Sequence, residues 1–508
     1  MSSNQTQQDK SKDPTMMSAA FGMMKNALND VSHRRTGSIS HEHESEAHQI
    51  FREQPGHSDK AARHDHVVPG IEHPGSVGVI YVMDRAMSNG FHYGAEGWAN
   101  FGQGAPETGD IPGAVPKPTT LDLAKYGHLI HEYGPTTGIQ PLRQKVADYY
   151  NDTFRKSRAS KYTADNICIV PGGRAGLSRV ASVISPILLG YQLPEYAAYE
   201  PMLAAFKNLI PIPTQLAEED QYKLKVEDLR RTIRNQGLTT VLLSNPRNPT
   251  GQIIEGKELR DLVKMADEMD VTTILDEFYS WYLHEGEEGR AVSAAEYIED
   301  VNNSPLILID GLTKNWRCPG WRVCWVVGPR DLISALNQAG SYLDGGASHP
   351  MQCLALEMLD KDRIVQDRIA LQRHFRMKRK HVLDRLAAMG LTCHVPPQAT
   401  FYIWLNLSCL PHPLNSGLAF FEELLKEQVI VTPGIFFDVN PAHRRNIIHS
   451  PCEPFVRLSF GPPLEELDRG LDGIQRVLDK AIAGHPELGR NLRKSDRRFS
   501  VNPQAAGS

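Results

Sequence analysis

Polar side chains that can do covalent and acid–base chemistry follow four apolar runs of this sequence, at 167–170, 240–243, 271–275 and 306–309. A lysine near another cation can lose its proton and become a nucleophile, and glycine N–H groups at a helix start bind anions. These groups, together with a lone carboxylate and a phenol, predict a site for a phosphorylated, electron-withdrawing cofactor that carries an aldehyde. In chain order they are Gly172, Gly173, Arg174, Asn248, Asp276, Tyr279, Thr313, Lys314 and Arg322.

The four apolar runs are predicted to be strands of one sheet. Apolar residues recur at helical spacing between and before them, over 139–156, 175–184 and 257–269. Continuous apolar strands that alternate with helices are typical of a mostly parallel sheet covered on both faces. Ligands of such sheets lie beyond the carboxyl ends of the strands, so we expect the polar groups to meet at one edge. Apolar runs at 401–405, 429–431 and 455–458 predict a second, smaller α+β unit.

The composition argues against nucleic-acid-binding, membrane and secreted proteins. The chain has 508 residues, with 55 Lys and Arg against 60 Asp and Glu, for a formal charge of −5. Nucleic acids and anionic membranes are bound by basic surfaces, so neither is an expected partner. No apolar run approaches the ~20 residues of a membrane span, and residues 1–10 lack the apolar core of a signal peptide. The 7 scattered cysteines indicate reduced thiols and a cytoplasmic protein, and no metal site is expected.

Several motifs, taken in order, give the sequence a family resemblance. They are Tyr133 with Gly138, the run 194–199, the Asn-Pro-x-Asn-Pro-Thr-Gly run at 245–251, Asp276 with Tyr279, Lys314 with Arg322, and Arg457. Over roughly residues 95–480 the sequence resembles the class I/II aminotransferases of fold type I, which are aspartate or tyrosine aminotransferase-like and use pyridoxal 5'-phosphate (PLP). The resemblance implies an α/β fold with a mostly parallel seven-stranded sheet, flanked by helices, and a smaller α+β domain.

The expected domains follow from this resemblance and from composition. Residues 1–70 are polar, with few aromatic residues, and are predicted to be a disordered tail. The segment 71–118 is expected to join the small domain, and 119–350 to form the large PLP-binding domain. Residues 351–483 are expected to form the interdomain helix and small domain, and 484–508 a polar tail.

The resemblance also implies a role for each residue at the cofactor. Lys314 would form the internal Schiff base and shuttle a proton, and Asp276 would hold the pyridine nitrogen protonated. Tyr279 and Asn248 would donate to the ring oxygen, and Tyr196 would stack on the ring. The phosphate would be bound by Gly172, Gly173, Arg174, Thr313, Arg322 and, from the neighbouring subunit of a homodimer with shared active sites, Tyr133.

Substrate contacts are implied in the same way. Arg457, after an edge-like strand of the small domain, would clamp the substrate α-carboxylate with Asn248, and Gly104 would lie over the substrate. Each residue also has a structural interpretation. Asp276 could cap a helix, Asn248 could be a turn residue, Gly172 and Gly173 a tight turn, and Arg457 part of a surface ion pair.

Three functions remain open at this point. The motifs favour an aminotransferase that moves an amino group between an L-amino acid and a 2-oxo acid through Lys314. A PLP-dependent lyase or cyclase, like aminocyclopropane-carboxylate synthase, would use the same quinonoid intermediate and the same cofactor residues. A non-enzymatic binding module is disfavoured because Lys314, Asp276, Tyr279 and Arg457 are all present. The side chain of the amino acid is not predicted.

Overall fold

The computed structural model describes residues 45–53, 78–185, 187–441, 445 and 449–484. Its strands are β1 Ala99–Asn100, β2 Ile167–Val170, β3 Ile187–Leu193, β4 Leu209–Gln215, β5 Thr240–Ser244, β6 Thr272–Asp276, β7 Leu306–Gly311, β8 Cys324–Val327, β9 Tyr402–Asn406, β10 Val429–Ile430, β11 Thr432–Pro433 and β12 Phe455–Ser459. Its α-helices are α1 Glu46–Glu53, α2 Val79–Ser88, α3 Gln140–Phe154, α4 Gly173–Val183, α5 Tyr199–Ala205, α6 Val226–Gln236, α7 Gly256–Met269, α8 Arg330–Leu343, α9 His349–Met358, α10 Lys361–Ala388, α11 Gly417–Lys426 and α12 Leu464–Gly484.

A seven-stranded sheet lies at the centre of the larger unit, in the order β2-β8-β7-β6-β5-β3-β4. The pairs from β4 across to β7 are parallel, whereas β8 runs antiparallel to both β7 and β2, so the sheet is mixed but mostly parallel. Strands β2, β5, β7 and β8 are buried along their whole length, as expected for a sheet covered on both faces. The α/β fold predicted from the sequence is confirmed.

The smaller unit contains a three-stranded antiparallel sheet in the order β11-β12-β9. In its register Arg457 of β12 lies between Thr432 of β11 and Trp404 of β9. Arg457 is therefore on the central strand, and the expectation of an edge-like strand was wrong. Strands β1 and β10 form a short parallel pair, which joins the segment around residues 99–100 to this unit.

Strands β3 and β4 were not predicted individually from the sequence. Strand β3 carries Gly190 and Gln192 among its apolar residues, which interrupts the apolar run. Strand β4 contains Pro211 and Pro213, and it lies at the edge of the sheet, where a missing backbone N–H is tolerated. Both strands therefore lack the continuous apolar pattern that identified their neighbours.

Helix α1 corrects the prediction that residues 1–70 are disordered. Ala47 and Phe51 lie four residues apart on one helix face and are 5% and 2% exposed. The Phe51 ring lies 5.3 Å from Tyr81 and 5.9 Å from Phe436, measured between ring centroids. Packing against these rings stabilises a helix whose polar composition gives no such indication. The rest of that predicted tail and all but Gly484 of the predicted tail at 484–508 lie outside the described residues.

None of the described helices has the length and apolar character needed to cross a lipid bilayer. All 7 cysteines lie in the described part of the chain, and each is an unpaired thiol.

Candidate active site

The carboxyl ends of β5, β6 and β7 bring the predicted polar residues together at one edge of the sheet. Asp276 is the last residue of β6, Asn248 lies in the loop after β5, and Lys314 follows β7. From the small unit, Arg457 reaches Asn248, with its Nη1 donating to Oδ1 at 3.1 Å. The edge of the large sheet and the central strand of the small sheet therefore form the two sides of one site.

Lys314 lies at the centre of the site. Its Nζ donates a hydrogen bond to the main-chain oxygen of Gly104, which belongs to the segment that crosses the site after β1. Burial, with the nearby positive charge of Arg457, lowers the pKa of Lys314 to about 7, although Asp276 acts in the opposite direction. A large share of this amine is therefore unprotonated near neutral pH, which is the state a nucleophile or a base requires.

Asp276 is buried and held by a tyrosine that the sequence analysis gave no role. The Tyr199 hydroxyl donates to Asp276 Oδ2 at 3.0 Å. Burial raises the pKa of Asp276 to about 6, and the hydrogen bond from Tyr199 opposes that rise. Tyr199 begins α5, three residues after Tyr196, so the spacing of the two tyrosines was a signal that could have identified it.

Arg457 is 2% exposed and has an unusual set of partners. Besides Asn248, its Nη2 donates to the Gly102 oxygen at 2.8 Å and to Thr432 Oγ1 at 3.4 Å. Its Nε has no hydrogen-bond partner in the structure. The guanidinium carbon lies 4.2 Å from the centroid of the Tyr402 ring and 5.0 Å from that of Phe437. A buried cation held by neutral groups is suited to bind a carboxylate.

The start of α4 forms a site for an anion. Gly172 precedes the helix with φ 108°, a conformation that favours glycine. A Cβ atom on Gly172 would collide with the Arg322 guanidinium, and one on Gly173 with the Phe278 ring. Both glycines therefore allow these side chains to lie close to the backbone. Arg322 Nη2 donates to the Pro171 oxygen at 3.3 Å and thus lies beside the helix start. Backbone N–H groups and a guanidinium are the donors that a phosphate requires.

Two tyrosines border the space between these groups. Tyr196 is partly buried, and its pKa is raised by burial, while the positive charges of Arg174, Arg457 and Arg322 act to lower it. The Tyr279 hydroxyl lies 2.8 Å from that of Tyr402, which was predicted as a strand residue without a role.

Thr313 Oγ1 lies 3.1 Å from Cys324 Sγ.

The structure does not bring Tyr133 to this site of its own chain. Tyr133 is 98% exposed, and its neighbours Leu123 and Leu129 are also exposed. The expectation for Tyr133 concerned a second subunit, and the single chain leaves it untested. Gly104, in contrast, is at the site, because its main-chain oxygen accepts from Lys314 Nζ; its expected position over the substrate stays a prediction.

These residues fit pyridoxal phosphate. A carboxylate, an amine of lowered pKa, a phenol and an anion-binding helix start are the groups that its ring nitrogen, aldehyde, ring oxygen and phosphate require. The glycines at 172 and 173 let the Arg322 guanidinium and the Phe278 ring lie against the helix start, where a Cβ would collide with them. The buried, unpartnered Nε of Arg457 leaves donor capacity for a carboxylate on the other side of the site.

Comparisons with known proteins agree with this geometry. The profile of the family "Aminotransferase class I and II" matches residues 96–474. The chain is 26% identical over 398 residues to aromatic-amino-acid aminotransferase 2 of Thermococcus litoralis, covering 76% of this chain and 92% of the relative. It is 26% identical over 356 residues to aspartate/prephenate aminotransferase of Thermus thermophilus, covering 69% and 84%.

Solved structures give the same fold. A single mutant of Thermus thermophilus aspartate aminotransferase superposes with a TM-score of 0.65 at 22% identity, covering 80% of this chain and 97% of that chain. An aminotransferase from Mycobacterium tuberculosis superposes with a TM-score of 0.65 at 21% identity, covering 82% and 100%.

Proposed function

The chain belongs to the family of class I and II aminotransferases and is a pyridoxal-phosphate-dependent enzyme; from this premise, we propose the role of each residue in its site. The proposal is carried by one observation: Lys314 Nζ and Arg457 Nη2 donate to main-chain oxygens two residues apart, of Gly104 and Gly102, while Arg457 Nη1 donates to Asn248. That placement combines a base and a carboxylate clamp within one site.

Lys314 is proposed to be the catalytic residue. Bound PLP supplies an electron-withdrawing ring that stabilises negative charge at the substrate Cα. Lys314 Nζ would hold the cofactor at rest, and the substrate amine would displace it. The freed Lys314 Nζ would then take the proton from the substrate Cα and return it to the carbon of the cofactor that carried the aldehyde. Asp276 keeps the proton on the ring nitrogen, and Tyr199 orients the Asp276 carboxylate through the bond at 3.0 Å. Tyr279 and Asn248 donate to the ring oxygen, and Tyr196 stacks on the ring.

Arg457 and Asn248 are proposed to bind the substrate α-carboxylate. The Tyr402 and Phe437 rings lie near the guanidinium and hold its orientation. Its Nε has no hydrogen-bond partner, so this N–H keeps a fixed direction. A bidentate bond would fix the carboxylate and thereby aim the Cα–H bond at Lys314. Gly104, whose oxygen accepts from Lys314 Nζ, would lie over the substrate.

The phosphate is proposed to bind at the start of α4. The N–H groups of Gly173 and Arg174 would donate to it, and Arg322 and Thr313 would add side-chain donors. The Gly172 N–H donates to the Val170 oxygen at 2.8 Å, so Gly172 would serve by allowing the close approach of Arg322. We also propose a homodimer in which Tyr133 of each copy reaches the phosphate of the other. Tyr133 is 98% exposed, and Leu123 and Leu129, which precede it in the chain, are also exposed. The free thiols support a cytoplasmic location.

A panel of amino acids tests these roles. The holoenzyme is mixed with single L-amino acids, aromatic and acidic ones first, while the absorbance of the bound cofactor is followed and the small product identified. A matching 2-oxo acid, formed once per site until an oxo-acid acceptor is added, is the expected result. Lys314→Ala should reduce turnover roughly 10⁴-fold. Turnover by that variant at a rate near that of wild type, or release of a leaving group without an acceptor, would contradict the proposal.

A further inference from the structure

The hydroxyl of Tyr402 joins the two sides of the site. It lies 2.8 Å from the hydroxyl of Tyr279, and the two side chains are 0% and 6% exposed. It also donates to the Gly104 oxygen at 3.4 Å, the same oxygen that accepts from Lys314 Nζ. One phenol oxygen therefore contacts the large-domain tyrosine and the segment that covers the lysine.

The ring of Tyr402 has a separate contact. Its centroid lies 4.2 Å from the guanidinium carbon of Arg457, closer than the 5.0 Å of Phe437. An aromatic face against a guanidinium attracts it and holds its plane without using its N–H groups, and Nε of Arg457 has no partner. The ring and the hydroxyl thus act on different groups of the site.

The backbone around Tyr402 is fixed. Tyr402 begins β9 opposite Ser459 of β12, and its N–H donates to Thr400 Oγ1 at 3.1 Å. Thr400 adopts φ 68°, a left-handed conformation that turns the chain into the strand. Phe401 beside it is 0% exposed. The position of the Tyr402 side chain is thereby set by the fold rather than by a mobile loop.

We propose that Tyr402 is a positioning residue that tunes both halves of the reaction, its hydroxyl acting through Tyr279 and its ring through Arg457. The inference rests on the roles proposed above for those residues. When Tyr279 donates to the cofactor's ring oxygen, the single proton of Tyr402 turns from the Gly104 oxygen, 3.4 Å away, to the Tyr279 oxygen, 2.8 Å away. Such a chain of hydrogen bonds strengthens the terminal donor. Loss of the hydroxyl weakens the stabilisation of negative charge on that ring oxygen.

Two variants separate the hydroxyl from the ring. In the holoenzyme, Tyr402→Phe is expected to raise the pH midpoint of the bound cofactor's absorbance change by about half to one unit, with the KM for amino acid within about two-fold of wild type. Tyr402→Leu is expected to raise the midpoint similarly and also to raise KM by about 5- to 30-fold, because Arg457 loses its ring.

The matched control is Tyr222→Phe. The Tyr222 hydroxyl accepts from Trp404 Nε1 at 3.2 Å, so this variant also removes a buried hydroxyl that contacts β9, but away from the site. Its midpoint and KM should equal those of wild type. A shift as large as that of Tyr402→Phe would overturn the inference, since it would show a general effect of losing buried hydroxyls near this strand.

Tyr279→Phe separates the failure of this inference from that of the proposed function. If Tyr279→Phe raises the midpoint and Tyr402→Phe leaves it unchanged, the role of Tyr402 is wrong and that of Tyr279 stands. If neither moves the midpoint, the proposed role of Tyr279 is wrong as well. If Tyr402→Phe does not fold, the midpoint of Tyr402→Leu is used instead. A raised midpoint supports the inference, and an unchanged one overturns it.

Discussion

The loop after β5 and the central strand of the small sheet each bury an arginine, and the two arginines are held in opposite ways. Arg247 and Arg457 are both 2% exposed. Arg247 pairs with the carboxylate of Glu195 at 3.0 Å and donates to Gln192 Oε1 at 2.9 Å. Glu195 is further bound by the Ser244 hydroxyl. The charge of Arg247 is thus neutralised inside the protein.

Arg457 has no carboxylate partner among the described residues. Its acceptors are an amide oxygen, a main-chain oxygen and a hydroxyl, and its Nε has none. A buried charge is costly unless it is paired, so a pair such as Glu195 with Arg247 is part of the scaffold. Arg457 instead combines neutral partners with an unpartnered Nε at a site that holds Lys314 and Asn248, which indicates a place for an anion that arrives from outside. Burial alone does not distinguish these two arginines, whereas the carboxylate partner of one and the unpartnered Nε of the other do.

The largest expected effect comes from Arg457→Gln. Loss of a bidentate, charge-assisted contact should lower kcat/KM for amino acids about 10²- to 10⁴-fold. The thermal midpoint of the apoenzyme should stay equal or rise, since the removed charge has no internal counterion. Steady-state kinetics and thermal melting measure the two quantities. A large loss of stability with little change in kcat/KM would place Arg457 in the scaffold and reverse the comparison.

Arg247→Gln should behave in the opposite way. It leaves Glu195 buried without its cation, which is expected to lower the free energy of unfolding by about 3–5 kcal/mol. The folded fraction should keep its KM. Denaturant unfolding of Arg247→Gln, Glu195→Gln and the double variant measures the coupling. The double variant should recover much of the lost stability, and a fully additive loss would argue against a tight pair.

The pKa of Lys314 offers a smaller test of the same contrast. Arg457 contributes to lowering this pKa to about 7, whereas Arg247 is not among its causes. In cofactor-free protein the rate of PLP capture should therefore rise as pH increases through about 7, because the amine replaces the ammonium. Arg457→Gln should move this midpoint up by about half to one unit, since a neighbouring cation is removed. Arg247→Gln should leave it in place, and a matching shift in both would refute the distinction.

The smallest effects concern the neutral acceptors. Thr432→Val removes the hydroxyl 3.4 Å from Arg457 Nη2 and should raise KM about three- to five-fold at unchanged stability. Gln192→Leu removes an acceptor of Arg247 and should lower the free energy of unfolding by about 1 kcal/mol at unchanged KM. Kinetics and denaturant unfolding of both variants check the pair. If Thr432→Val lowered stability and Gln192→Leu raised KM, the assignment of Arg457 to binding and of Arg247 to the scaffold would be wrong.

The sequence predicts those parts of the fold and site whose signal is local. The runs of β2, β5, β6 and β7 are apolar apart from threonines in β5 and β6, and the residues that follow them are expected to meet at the carboxyl edge of a parallel sheet. Lys314, Asp276 and Asn248 were found in this way. Their assigned roles, and the domain boundaries, remain predictions.

Tertiary packing determines what the sequence could not predict. Tyr402 and Tyr199 carry the same apolar rings as core residues, and only their contacts with Tyr279 and Asp276 distinguish them. The direction of β8 is set by a long-range pairing that local pattern does not encode. Helix α1 depends on distant aromatic rings for its stability.

Gly102 and Gly104 contact Arg457 and Lys314 through carbonyl oxygens alone. Every amino acid carries that oxygen, so the hold on both cations is independent of side-chain chemistry in this stretch. Steric room restricts positions 102 and 104, where an added Cβ would lie 3.0 Å from Ile430 Cγ2 and 3.3 Å from the Tyr402 hydroxyl. Gln103 between them already carries a side chain and is half-buried. A different side chain at position 103 would therefore leave both carbonyl contacts in place.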